Sequence, residues 1–152
     1  QPVKTEPVEF TPRPRPQVVA GLDAVRDLSR VAANVADAGV AIVDARPEEQ
    51  YIGNQTQRSG HIPGAASLYW LNHLVSRENP AMKPLSELSK LYEAVGLKAG
   101  QKVVTYCNTG MQASHSYFTL KYLGYDVMMY DGSFSEWSKA EGAPVAAGKD
   151  RR

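Results

Sequence analysis

The chain has 152 residues, 43% of them hydrophobic and 22% charged, which suits one globular domain with a continuous core and leaves too little apolar material for a second. Seventeen Lys and Arg against sixteen Asp and Glu give a formal net charge of +1, and no basic block interleaved with aromatics marks a nucleic-acid partner. No apolar run nears the roughly 20 residues of a helical membrane span, and no charged segment followed by a hydrophobic stretch opens the chain.

Five of the ten prolines fall in residues 1–17, including Pro12-Arg13-Pro14-Arg15-Pro16. Such a run favours an extended, polyproline-like arm or interdomain linker. Its arginines are able to hold an anion, but a solvated spacer is the plainer reading. From Leu22, the apolar positions Val25, Leu28, Val31, Ala32 and Val35 repeat at helical spacing and stop near Gly39. Val40-Ala41-Ile42-Val43-Asp44 is then a short continuous apolar run, the pattern of a strand covered on both faces. Asp44 sits at its carboxyl end.

Residues 45–64 are polar and close with Gly60-His61-Ile62-Pro63-Gly64, which cannot be helical throughout. A short strand is expected at residues 66–68, and Leu85, Leu88, Leu91, Tyr92 and Val95 give a second amphipathic helix stopped at Gly96. A buried strand over residues 102–106, a helix over 113–123, a strand over 126–130 and a short helix over 135–140 complete the chain. Helices alternating with apolar strands imply an α/β domain with a parallel sheet and helices on both faces. The domain proper is expected over residues 18–148, followed by a charged tail at 149–152.

Cys107 is the sole cysteine and directly follows the strand expected to be central. It has no partner for an internal disulfide, so it fits a reducing or an oxidising compartment, with the cytoplasm slightly favoured over the periplasm. In an open parallel sheet, ligands bind outside the carboxyl ends of the strands. Gly110 permits a tight turn, so the amides of Asn108, Thr109, Gly110, Met111 and Gln112 can face inward as a nest beside the N-terminus of the next helix. Such a nest stabilises a thiolate or another anion, which makes Cys107 a candidate nucleophile. The alternative is a small buried hydrophobe, a common fate of free cysteine. No Cys-x-x-Cys occurs, and one cysteine with three scattered histidines lacks zinc spacing, so no metal or other cofactor is expected.

Four segments, in order, resemble the rhodanese or sulfurtransferase family: Val43-Asp44-Ala45-Arg46, Ser59-Gly60-His61-Ile62-Pro63-Gly64-Ala65, the loop over residues 106–113, and Tyr130-Asp131-Gly132-Ser133-Phe134-Ser135-Glu136-Trp137. Together they span roughly residues 20–145. The resemblance implies a five-stranded parallel sheet and a six-residue loop starting at the cysteine. It also implies that Cys107 takes a sulfane sulfur from a donor such as thiosulfate or 3-mercaptopyruvate, becomes a persulfide, and passes the sulfur to cyanide or a thiol. The chain looks most like the catalytic C-terminal half of tandem sulfurtransferases, which implies a companion N-terminal rhodanese domain outside this sequence, with residues 1–17 as the connecting linker; a free-standing domain with an extended arm is the alternative.

Departures from the family pattern bear on the donor. The loop has neither the basic residues common in thiosulfate-specific relatives nor the Gly-Ser-Gly-Val-Thr-like continuation of mercaptopyruvate-specific ones. Gln50 stands where relatives often place an arginine. Arg46 and Arg58 are the remaining anion-binding candidates, although Arg46 is also placed to lock Asp44 into an ion pair. His61 is read as a hydrogen-bonded structural group before a catalytic base, and Asp131 and Trp137 as loop-bracing and packing groups. Tyr69, Trp70 and Met111 either rim the pocket or pack the core. A phosphatase-like enzyme would need a loop one residue longer ending in arginine, whereas Gln112 is followed by Ala113. A non-enzymatic persulfide carrier or protein-binding module is the other alternative.

Overall fold

Four apolar segments pair edge to edge in a computed structural model that describes residues 8–34, 38–53 and 59–151. They are β1 (Val40–Asp44), β2 (Ala65–Ser67), β3 (Lys102–Tyr106) and β4 (Asp126–Met129), all parallel, in the order β2-β1-β3-β4. The register places Asp44 opposite Tyr106, so the carboxyl ends of the two central strands are level. The residue after each is therefore delivered to the same edge of the sheet.

Side chains alternate along each strand, and the core divides accordingly. Ile42 and Val104 lie in one cluster with Val25 of α1 (Leu22–Asn34), Tyr51 of α2 (Glu48–Ile52), and Phe134 and Trp137 of α5 (Ser133–Trp137). Val43 and Val103 lie in the other, with Tyr92 of α3 (Leu85–Ala94) and Leu120 of α4 (Met111–Tyr122). Both faces are thus covered, which is why β1 and β3 read as unbroken apolar runs.

The expected fifth strand is absent among the described residues. In its place a single residue, Val19, bridges Met129 in parallel, and the Ala20 amide donates to the Met129 carbonyl at 2.9 Å. The physical reason lies in the flanks. A 3₁₀ turn at Pro16–Val18 precedes Val19 and α1 begins at Leu22, while prolines further upstream have no N–H to offer a ladder. Residues 8–15 carry no regular secondary structure. Residues 1–7, Val35 and Arg58 lie outside the described residues.

Boundaries differ in three instructive places. α4 starts at Met111 rather than at residue 113, because Gly110 adopts φ +88° and ends the loop at once. α5 runs over Ser133–Trp137 rather than 135–140, starting on a serine with positive φ. α2 and a 3₁₀ turn at Trp70–His73 were not anticipated, since single turns carry too few residues for a period to show. At the other end, the Arg151 carbonyl accepts the Gly64 amide at 2.5 Å and its guanidinium reaches the Val95 carbonyl, so the tail is docked against the domain as far as Arg151.

Candidate active site

Cys107 follows β3 directly and is 1% exposed, packed with Ala45 and Ala113 and touched by half-buried Trp70 and Met129. The lacing of neighbouring strand ends explains the placement. The Ala45 amide donates to the Tyr106 carbonyl at 2.9 Å, the Leu68 amide to the Asp44 carbonyl at 3.0 Å, and the Trp70 amide to the Ala45 carbonyl at 3.2 Å. These bonds draw β1, β3 and the segment after β2 together at the point where the thiol sits.

Asn108, Thr109 and Met111 are exposed, Gln112 is half-buried and Gly110 is buried. Among the described residues, none of the amides of residues 108–112 donates to a backbone carbonyl. A loop that turns through a left-handed glycine into a helix N-terminus leaves such donors free for an anion. A Cβ on Gly110 would lie 3.0 Å from Asp131 Oδ1 and 3.4 Å from the Asp131 carbonyl oxygen. Exposed Asp131 therefore backs the loop at its tightest point.

The segment beginning at Asp131 clamps the loop from behind. The Cys107 amide donates to Ser133 Oγ at 3.3 Å, and that hydroxyl donates to the Tyr130 carbonyl at 2.9 Å. The Phe134 amide donates to the Cys107 carbonyl at 3.0 Å and the Ser135 amide to the Asn108 carbonyl at 3.1 Å. Ser133 was not singled out from the sequence. The available signal was a serine beside Gly132 at the start of a helix, a residue pair that marks a cap or a turn. Trp137 is fully buried and its indole N–H donates to the Pro144 carbonyl at 2.7 Å, anchoring the far end of the clamp.

Arg46 is 3% exposed and engages Asp44 in a two-pronged pair, Nε to Oδ1 at 2.9 Å and Nη2 to Oδ2 at 2.5 Å, while Nη2 also donates to the Gly60 carbonyl at 2.6 Å. The guanidinium lies over the Phe134 ring, 4.1 Å from its centroid. Burial works against its charge, but the Asp44 carboxylate outweighs that cost and raises the Arg46 pKa above its ordinary value. Its donors are directed at the protein itself, which ties β1, the 59–61 segment and α5 into one support for the loop.

His61 is buried, stacked flat on Tyr51 with ring centroids 3.8 Å apart, and its Nδ1 donates to the Tyr51 carbonyl at 2.9 Å. Burial lowers its pKa, so it sits as a neutral ring within the core. A second histidine system lies beyond Trp70. The rings of Trp70 and His115 are 5.4 Å apart, and His115 Nδ1 is 3.3 Å from Nδ1 of fully buried His73. Only one of the two can carry the proton between them. Burial, then the neighbouring His115 and Lys83, push His73 down to about 3.

An open cavity of about 390 Å³ adjoins the loop, lined in part by Arg46, Glu49, Gln50, Ser59, Asn108 and Phe134. Gln50, at the place where relatives often carry an arginine, lies beside the loop, whereas Tyr69, Trp70 and Met111 do not line this cavity. Among the described residues, no cluster of three or more His, Cys, Asp or Glu side chains is gathered for a metal, and no helix is long and apolar enough to cross a membrane.

Residues 27–140 match the family model described as a rhodanese-like domain. Sulfur carrier protein TtuD of Thermus thermophilus is 39% identical over 124 residues, covering 72% of this chain and 42% of that protein. A Haloferax volcanii protein bearing the name "Putative thiosulfate sulfurtransferase" is 35% identical, covering 74% of this chain and 42% of its own length. The chain thus spans less than half the length of these curated relatives. Among solved structures, wild-type EanB aligns with a TM-score of 0.73 at 23% identity, over 88% of this chain and 32% of that one. The anaerobic ergothioneine biosynthesis enzyme of Chlorobium limicola aligns with a TM-score of 0.72 at 21% identity, over 88% and 33% respectively. At that identity the likeness is one of fold.

Proposed function

Because the chain belongs to the rhodanese-like domain family, we propose that it is a sulfurtransferase that moves a sulfane sulfur from thiosulfate, or from 3-mercaptopyruvate, to cyanide or a thiol through a persulfide on Cys107. The observation that carries this reading is the position of a single free cysteine at the end of a central strand, at the base of a loop whose amides have no backbone carbonyl partners. With thiosulfate, the Cys107 thiolate attacks the outer sulfur, a new S–S bond forms, and sulfite leaves with the electron pair of the broken bond. In the second half, the acceptor attacks the outer sulfur of the persulfide and the Cys107 thiolate departs as leaving group. Negative charge stays on sulfur beside the loop throughout, where the free amides stabilise it without reorganising.

Arg46 contributes by holding the support in place rather than by gripping the donor, since its hydrogen bonds run to Asp44 and Gly60. The described residues around the cavity then offer an anionic donor polar groups such as Gln50 and Asn108 in place of a free guanidinium. Modest donor affinity follows. The test is the steady-state formation of thiocyanate from thiosulfate and cyanide. Saturable turnover that vanishes in Cys107→Ser while the fold persists supports the proposal; turnover retained by that variant removes the nucleophile.

The second reading is a persulfide carrier that hands sulfur to a protein partner. It draws on the 39% identity to a protein named as a sulfur carrier and on a loop, residues 107–112, that carries no charged side chain to grip a small anionic donor. Stoichiometric loading of Cys107 with negligible turnover to small acceptors would favour it over the enzyme.

A further inference from the structure

Ser133 is fully buried and is the one residue other than glycine, among those described, whose backbone adopts positive φ, at +53°. That conformation crowds Cβ against the following carbonyl and persists only when the surroundings impose it. A glycine would adopt it freely, so the serine must supply something that glycine lacks. The hydrogen bonds identify it. Ser133 Oγ accepts from the Cys107 amide at 3.3 Å and donates to the Tyr130 carbonyl at 2.9 Å, while the next residue's amide, from Phe134, binds the Cys107 carbonyl at 3.0 Å. Both backbone groups of the nucleophile are therefore held by two consecutive residues of α5, and the left-handed turn is what aims the hydroxyl at the strand end.

We propose that Ser133 is a positioning residue for Cys107: its hydroxyl fixes the cysteine backbone, and so the direction of the sulfur relative to the loop amides, at the expense of local strain. This rests on the reading of Cys107 as the nucleophile. The hydroxyl faces backbone groups rather than the cavity, so its loss acts on the chemical step and leaves donor binding alone.

Two variants separate the parts. Ser133→Ala deletes the hydroxyl and keeps the strain, whereas Ser133→Gly deletes the hydroxyl and releases it. The expected result is that the glycine variant melts higher than the alanine variant, yet both load Cys107 with sulfur from thiosulfate about tenfold more slowly than the parent chain, with unchanged KM, as befits one lost hydrogen bond in the reacting geometry. Iodoacetamide alkylation of Cys107 is followed in parallel and should slow in both. Parent-like loading and alkylation in either folded variant, or a fall in rate that tracks melting temperature, would overturn the role of Ser133. If the parent chain takes up no sulfur at all, the functional reading fails instead, and the alkylation comparison still decides the positioning.

Discussion

Replacing Asp44 by asparagine should be among the most damaging single changes in the domain. Asp44 is 0% exposed and Arg46 3% exposed, so neither group can recover its partner's contribution from water. The amide keeps one neutral oxygen, so if that accepts from Nε an NH₂ faces Nη2, where the native contact is 2.5 Å. The guanidinium is left buried with that one neutral acceptor, the Gly60 carbonyl and the faces of Phe134 and Tyr106 as its partners, and with no counter-charge. Breaking a buried pair in this way costs about 3–5 kcal/mol. In a domain of this size about 2–4 °C of melting temperature accompanies each kcal/mol, so a fall of about 10 °C is expected. Thermal and urea unfolding followed by circular dichroism would measure it. The reasoning also fixes a sign for the double variant: Asp44→Leu with Arg46→Met removes both charges and should be more stable than Asp44→Asn alone. A loss under about 1 kcal/mol for the single variant, or a double variant less stable than the single, would refute the account of Arg46 as a buried structural ion.

Three further outcomes are expected. Gly110→Val forces a branched side chain into φ +88° with its Cβ 3.0 Å from Asp131 Oδ1, a strain of about 1–2 kcal/mol; turnover should fall further than the folded fraction does, and turnover that follows the folded fraction would contradict the nest. His73 is held neutral by burial, to about 3 in the folded chain against 6.5 unfolded, so the unfolded chain binds the extra proton and folding stability falls as pH drops from 6.5 towards 3. The slope from this group approaches about 1.4 kcal/mol per pH unit well below 6.5, with no contribution above it; His73→Phe should flatten urea-unfolding midpoints between pH 7 and pH 5, and an unchanged slope would show that His73 is not the group responsible. Trp137→Phe deletes the N–H that meets the Pro144 carbonyl at 2.7 Å and should cost about 0.5–1.5 kcal/mol for the lost hydrogen bond, read as a lowered urea midpoint; an unchanged midpoint would show that this bond does not anchor the clamp.

The central strands were legible because β1 and β3 are covered on both faces, and continuous apolar runs such as Ala41-Ile42-Val43 have few other uses. The order of the segments gave the parallel sheet for the same reason, since each strand is followed by enough chain to cross over. The fifth strand was not legible: a resemblance carries the strand count of relatives, whereas Pro16 and the start of α1 at Leu22 confine this chain to one bridging residue. Around the cysteine, the strand-end position and the turn at Gly110 could be read from residue types. The hold exerted by Ser133 could not, because serine beside glycine signals a cap or a turn without saying which distant amide its hydroxyl will meet. The stack of His73 and His115 was hidden likewise, since residues 42 positions apart meet through the 3₁₀ turn that no periodicity announces.

The most direct test is the mass of the Cys107 peptide after incubation with thiosulfate and then with cyanide. One added sulfur atom, located on Cys107 and removed by cyanide as thiocyanate, is the predicted result. Folded protein that gains no sulfur, or gains it at another residue, would contradict a persulfide on Cys107 and with it the transferase and carrier readings alike.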